Sequence, residues 1–152
     1  MKKKLIFLII IGIVVIAIFL VKFLTAERNF LINDIRQLKI AVEKKNKNMV
    51  LSYVDEAYQD KNDLSYNDLI AGLDNLFNDY DSIKITLNDM KTKIDSIDKE
   101  KCIYASCSLG LKIFGRYQDD RVLIFGGFIN PAPVHACFKK TQEHYKVYYA
   151  EY

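Results

Sequence analysis

The chain of 152 residues is long enough for one folded domain and a short appendage. Hydrophobic residues make up 51% and charged residues 27% of it, with a formal net charge of +3. Four of the 22 basic residues (Lys2, Lys3, Lys4 and Lys22) precede the first acidic residue, which leaves 18 basic against 19 acidic residues afterwards. This near-neutral remainder excludes nucleic acid as a partner, because phosphate binding requires a concentrated basic surface.

The N-terminal segment has the composition of a membrane anchor, since Leu5 to Val21 contains no charged or polar side chain. Extended from Leu5 to Ala26, a helix at about 1.5 Å per residue spans a bilayer core. We therefore expect a single-pass anchor within residues 1–26 and a separate domain over 27–152. The N-terminal lysines predict a cytoplasmic N-terminus and a domain outside the cytoplasmic (inner) membrane.

A cleaved signal peptide is the alternative for this segment, with Leu24-Thr25-Ala26 as its cleavage site. The uncleaved anchor is favoured because the apolar stretch is long for a signal peptide and Leu24 is not a small residue. Both alternatives export the domain.

Three helices are predicted after the anchor. Apolar residues recur at helical spacing from Ala26 to about Lys45, which allows this helix to continue directly from the anchor. A short second helix is predicted from Met49 to Tyr58, with Asn48 as its N-cap. The third begins with a capping pattern formed by Ser65 and Asp68, and its predicted inner face consists of Leu69, Leu73, Leu76, Phe77 and Tyr80.

Strands are predicted after Asp81, where the apolar period changes to two. Gly126, Gly127, Pro131 and Pro133 predict a bulge or sharp bend between two of these strands. The predicted strands cover residues 83–87, 103–113, 121–128, 134–140 and 145–151. Helices followed by strands indicate an α+β domain in which three helices pack on an antiparallel sheet.

Short motifs along the chain occur in a recognisable order: Ala41-Val42-Glu43-Lys44-Lys45, Tyr58-Gln59-Asp60, Leu64-Ser65, and Phe138-Lys139-Lys140 before Tyr145-Lys146-Val147. Over about residues 28–152 this order resembles the nuclear transport factor 2-like superfamily, with Tyr145 in place of the usual Trp. The resemblance implies a cystatin-like cone, in which a curved antiparallel sheet wraps a long helix. It leaves function open, because the superfamily includes ketosteroid isomerase-like enzymes as well as non-catalytic binding and assembly modules.

The superfamily pattern singles out Asp60 as a catalytic candidate. The resemblance implies a general base at Asp60, with Tyr58 or His135 as donors. The alternative is that Asp60-Lys61-Asn62-Asp63 forms a solvated turn. The polar side chains next to Asp60 favour this interpretation. No catalytic residue is therefore predicted beyond these weak candidates.

The cysteines and histidines do not predict a metal or cofactor site. His135 and Cys137 share a face of one strand, but a further ligand at metal-binding spacing is missing from the sequence. Cys102 and Cys107 face opposite ways and should not bond to each other. In an oxidising compartment, the sequence allows a disulfide between Cys102 and Cys137. For Cys107 a buried thiol is expected.

The leading functional hypothesis is a membrane-anchored, non-catalytic binding or assembly module. Late tyrosines could present a sheet surface to a protein partner or a second copy of the chain: Tyr145, Tyr148, Tyr149 and Tyr152. A small apolar ligand inside the cone is the other binding mode. The alternatives are a ketosteroid isomerase-like or dehydratase-like enzyme that uses Asp60, and a secretion-system assembly component, since the layout is similar to an inner-membrane part of type IV secretion machines.

Overall fold

The computed structural model describes residues 2–140 and 143–152, with side chains from residue 11 onward in those ranges. The described residues form three helices and six strands: α1 (Lys2–Glu43), α2 (Lys47–Ser52), β1 (Val54–Asp60), α3 (Tyr66–Asp79), β2 (Ser82–Ile97), β3 (Ile103–Tyr117), β4 (Asp120–Phe125), β5 (Ala132–Lys140) and β6 (Tyr145–Glu151). The predicted α+β class is confirmed.

Helix α1 runs without a break into the folded domain, as the sequence pattern predicted. Leu31 and Ile35 are buried in the core, whereas the large apolar side chains between Ile11 and Leu24 are exposed. Within the part of the chain that is described, no helix meets the length and apolarity needed to cross a membrane. Residues 5–10 of the predicted anchor lie outside the residues whose side chains are described.

The second predicted helix is wrong over most of its length. Helix α2 ends at Ser52, and its N-cap is Asn46 rather than Asn48. The residues from Val54 onward form β1, because they pair with β6. Val54 and Tyr58 are four residues apart, a spacing that fits one face of a helix and one face of a strand equally well.

Helix α3 is fixed at both ends by side chains. Ser65 and Asp68 form the predicted capping box, in which each side chain receives a hydrogen bond from the backbone of the other residue. At the other end, the Lys45 ammonium donates to the carbonyl oxygens of Phe77, at 2.9 Å, and Tyr80. Lys45 therefore ties the turn after α1 to the last turn of α3.

The sheet has the order β1-β6-β5-β3-β2. Strand β4 also pairs with β3, along the part of β3 that follows the residues paired with β5. Strands β2 and β3 form a long hairpin, and the pairs β3–β5, β3–β4 and β5–β6 are antiparallel as predicted. The pair β1–β6 is parallel, so the prediction of a purely antiparallel sheet is wrong. The error follows from the second predicted helix, because the sequence pattern did not identify β1 as a strand.

Strand β4 ends at Phe125, three residues earlier than predicted, and the expected bend follows it. Gly126 has a φ of +90°, and a Cβ there would come within 2.6 Å of the Leu111 carbonyl oxygen. Only glycine tolerates this combination, so the chain leaves the sheet at this point.

The core lies between α1, α3 and one face of the sheet, here called the inner face. Alternate residues of β3 point inward, and Leu31 of α1 packs among them and the later strands. The buried sheet residues of this cluster are Val54, Tyr58, Ile103, Ala105, Cys107, Phe138, Tyr145 and Val147. The curved sheet and helices fit the expected cone, and its interior is the place to look for a site.

Candidate functional site

The interior of the cone contains a cavity of about 320 Å³, here called the cone cavity. This volume lies at the lower end of the roughly 300–1,000 Å³ range of ligand pockets. Among the described residues that border it, Tyr58 and Lys39 are the only ones with a polar side chain, and none has a carboxylate or an imidazole. The apolar lining comes from α1, α2, α3 and five strands: Ile35, Leu38, Val42, Val50, Val54, Leu69, Leu73, Leu76, Ile85, Leu87, Leu109, Leu111, Ile113, Val134, Ala136, Phe138, Val147 and Ala150.

Tyr58 is the predicted donor that does reach the cone cavity. It lies on the inner side of β1 and is buried. Burial raises the pKa of its hydroxyl to about 12, and the nearby Asp60 carboxylate acts in the same direction. Tyr58 therefore borders the cavity with a side chain that is neutral at physiological pH.

Asp60 does not border the cone cavity, although its side chain is only 3% exposed. Its Oδ1 accepts hydrogen bonds from the backbone N–H groups of Asn62 (2.7 Å) and Leu64 (2.9 Å), and its Oδ2 accepts one from the Tyr152 hydroxyl (2.5 Å). Burial acts to raise the pKa of the Asp60 carboxyl, but these hydrogen bonds outweigh it and hold that pKa below its ordinary value. An ionised, fully engaged carboxylate is a weak base.

His135 lies on the opposite side of the sheet from the cone cavity. Its neighbours Val134 and Ala136 border the cavity, so strand alternation directs His135 to the outer face. There its Nδ1 is 2.9 Å from the Ser108 hydroxyl, and its Nε2 is 3.8 Å from the Cys137 sulfur. The three catalytic candidates are thus not assembled around one space.

The three cysteines all lie among the described residues and are free, so a bond between Cys102 and Cys137 is absent. Cys107 is buried on the inner face as expected, and burial raises the pKa of its thiol to about 11. Within the described ranges, His, Cys, Asp and Glu side chains nowhere form a group of three or more that would hold a metal ion.

A polar contact between α1 and β6 was missed at the sequence level. The buried Asp34 carboxylate accepts the Tyr145 backbone N–H at 2.8 Å, and Glu27 accepts the Tyr145 hydroxyl at 2.8 Å. Lys140 also pairs with Glu27, at 3.0 Å. The sequence did contain a sign of this buried carboxylate, because Asp34 lies three residues after Leu31 and therefore on the apolar face of the helix.

No family model and no curated protein matches this sequence. Solved structures resemble the fold. Kfla4162 from Kribbella flavida superposes with a TM-score of 0.66 at 10% identity, over 84% of this chain and 89% of that one. A proposed dehydratase of the nuclear transport factor 2-like family from Streptomyces avermitilis gives a TM-score of 0.62 at 9% identity, over 83% and 94%.

A variant of the helical cell shape determining protein Pgp2 from Campylobacter jejuni gives a TM-score of 0.60 at 13% identity. The match covers 78% of this chain but 38% of the cell shape protein, so this chain corresponds to well under half of that protein's length. Identities this low carry information on fold alone. The observed cone and these likenesses show that the folded part of the chain has the nuclear transport factor 2-like fold.

Proposed function

We propose that this protein is a membrane-anchored, non-catalytic binding module whose cone cavity holds an apolar ligand. The observation that carries the proposal is the lining of the cone cavity, which is apolar except for Tyr58 and Lys39. Such a lining favours a ligand that is itself apolar, with the Tyr58 hydroxyl available for one polar contact.

The anchor is supported by the sequence and by the exposure of its side chains. The apolar run from Leu5 to Val21 follows three lysines. The described large apolar side chains from Ile11 to Leu24 are exposed. We infer that these side chains contact lipid, with the N-terminus in the cytoplasm and the domain outside the cytoplasmic membrane.

The enzyme alternative is supported by the fold likeness to the proposed dehydratase from Streptomyces avermitilis. It is disfavoured by the position of Asp60, whose carboxylate is tied to its own turn and to Tyr152 rather than directed at the cone cavity. General acid–base catalysis requires the carboxylate within hydrogen-bonding reach of the substrate.

Filling the cone cavity tests the binding proposal. The full-length protein is isolated from membranes, and bound ligands are measured by native mass spectrometry. Ala136→Phe places a ring in the cavity and is expected to reduce ligand occupancy by about tenfold or more, because overpacked interiors exclude guests. Ala57→Phe is the matched control, since Ala57 is an exposed alanine of β1.

Both variants are first compared by thermal unfolding, and Ala150→Phe provides a second obstruction from β6 if Ala136→Phe does not fold. Equal occupancy in wild type, cavity variant and control would contradict binding in the cone. Absence of any ligand in the wild-type protein after exposure to an apolar ligand library would contradict the proposal as a whole.

A further inference from the structure

A second concavity of about 620 Å³ lies between α1 and the edge strand β2, here called the outer groove. Its floor is apolar, and its two charged side chains are both cationic: Arg36 and Lys39. No carboxylate borders it among the described residues. The groove lining consists of Ile32, Arg36, Lys39, Ile40, Ile85, Thr86, Leu87 and Met90.

The outer groove and the cone cavity share a wall. Lys39, Ile85 and Leu87 border both spaces. Lys39 is engaged at this wall, because its ammonium pairs with Glu43 at 3.0 Å. The two spaces are therefore adjacent along these three side chains.

Arg36 provides the free cation at this location. Its side chain is exposed, and none of the ion pairs formed by described residues involves it. A guanidinium binds a carboxylate through two parallel hydrogen bonds, which makes it a specific partner for an anionic head group.

We propose that the outer groove and cone cavity together bind a single-chain amphiphile with a carboxylate head group. This inference rests on the proposed function and specifies its ligand. The acyl chain enters the cone cavity past Lys39, while the carboxylate stays at Arg36. At roughly 30 Å³ per water-sized group, a cavity of about 320 Å³ takes about ten chain groups, which suits one chain rather than two.

The position of the outer groove suits uptake from a bilayer. Ile32 and Arg36 follow Ala26 on the same continuous helix, about 9 and 15 Å along its axis. Both groove residues therefore lie within about 15 Å of the end of the proposed anchor along the helix axis.

Photolabelling of the full-length protein in lipid vesicles tests this inference. The probes are a long-chain carboxylate with a photoreactive group in its chain and the corresponding alcohol, and labelled positions are identified by mass spectrometry. The carboxylate is expected to label the cavity residues around Leu73 and Phe138 about tenfold more than the alcohol does. Arg36→Glu is expected to abolish this difference. Arg28→Glu, which changes the same charge on the same helix outside the groove, is expected to retain it.

The outcomes separate the two proposals. Equal cavity labelling by acid and alcohol, unchanged in Arg36→Glu, would overturn the carboxylate head group and leave the binding module intact. If an anionic phospholipid with the same photoreactive group labels the cavity as strongly as the long-chain carboxylate does, the single-chain ligand would be overturned. Absence of cavity labelling by every probe would overturn both the inference and the proposed function.

Discussion

At the scale of single residues, the carboxylate of Asp60 joins its own strand, the turn that follows it and the Tyr152 side chain. The hydrogen bonds stabilise the ionised form, in which the carboxylate is an acceptor only. We therefore interpret Asp60 as the residue that closes the turn between β1 and α3.

Asp60→Asn is expected to lower the free energy of unfolding by about 1–3 kcal/mol at neutral pH, because the turn N–H groups lose a charged acceptor. Tyr152→Phe removes one of the hydrogen bonds and is expected to lower it less. Urea denaturation measures both changes. Wild-type stability in Asp60→Asn would show that the turn does not depend on this carboxylate.

The same variant has a defined pH dependence. The folded-state pKa of Asp60 lies below its ordinary value of 3.8, so its stabilisation is present above about pH 4 and is lost as the pH falls through the folded-state pKa. The difference in unfolding free energy between wild type and Asp60→Asn is therefore expected to be constant above about pH 5 and to shrink as the pH falls from about 5 to about 3. A difference that is constant over this range would contradict the assignment.

At the scale of secondary-structure elements, the start of α2 distinguishes the structure from the sequence prediction. The Asn46 side chain accepts a hydrogen bond from the Met49 N–H at 3.1 Å, whereas Asn48 lies within the helix. Asn46→Ala is expected to destabilise the protein by about 1 kcal/mol, and Asn48→Ala by less than about 0.5 kcal/mol. Thermal unfolding of the two variants measures the difference, and the reverse ranking would place the cap at Asn48.

Elements with two agreeing signals were predictable from the sequence. Helix α3 combines the Ser65 and Asp68 capping box with an apolar face, and the first half of β3 alternates between buried and more exposed residues. The strand β1 was not predictable, because Val54 and Tyr58 fit both periods and pairing with β6 depends on residues about 90 positions later. A local sequence pattern cannot identify a partner strand so far along the chain.

At the scale of the whole molecule, the candidate site was predictable only in part. Tyr58 was identified and does reach the cone cavity, whereas His135 lies on the outer face. The cavity itself comes from side chains of eight elements, and the wall that it shares with the outer groove depends on how α1 lies against β2. Such packing is set by the assembled fold and leaves no local motif.

Helix α1 is the element that links the proposed anchor to the proposed ligand site. Its side chains Glu27 and Asp34 both accept hydrogen bonds from Tyr145, which attaches the first turns of the domain to β6. We expect this attachment to keep the outer groove close to the bilayer if the proposed anchor is embedded there.

The claim on which the ligand source and the location of the domain both depend is that residues 1–26 lie in a bilayer with residues 27–152 outside. Protease treatment of spheroplasts that express the full-length protein with a C-terminal tag tests it most directly. We expect the added protease to remove the tag and the domain while a cytosolic marker stays intact. Survival of the tagged domain in intact spheroplasts, together with its digestion after lysis, would contradict the account.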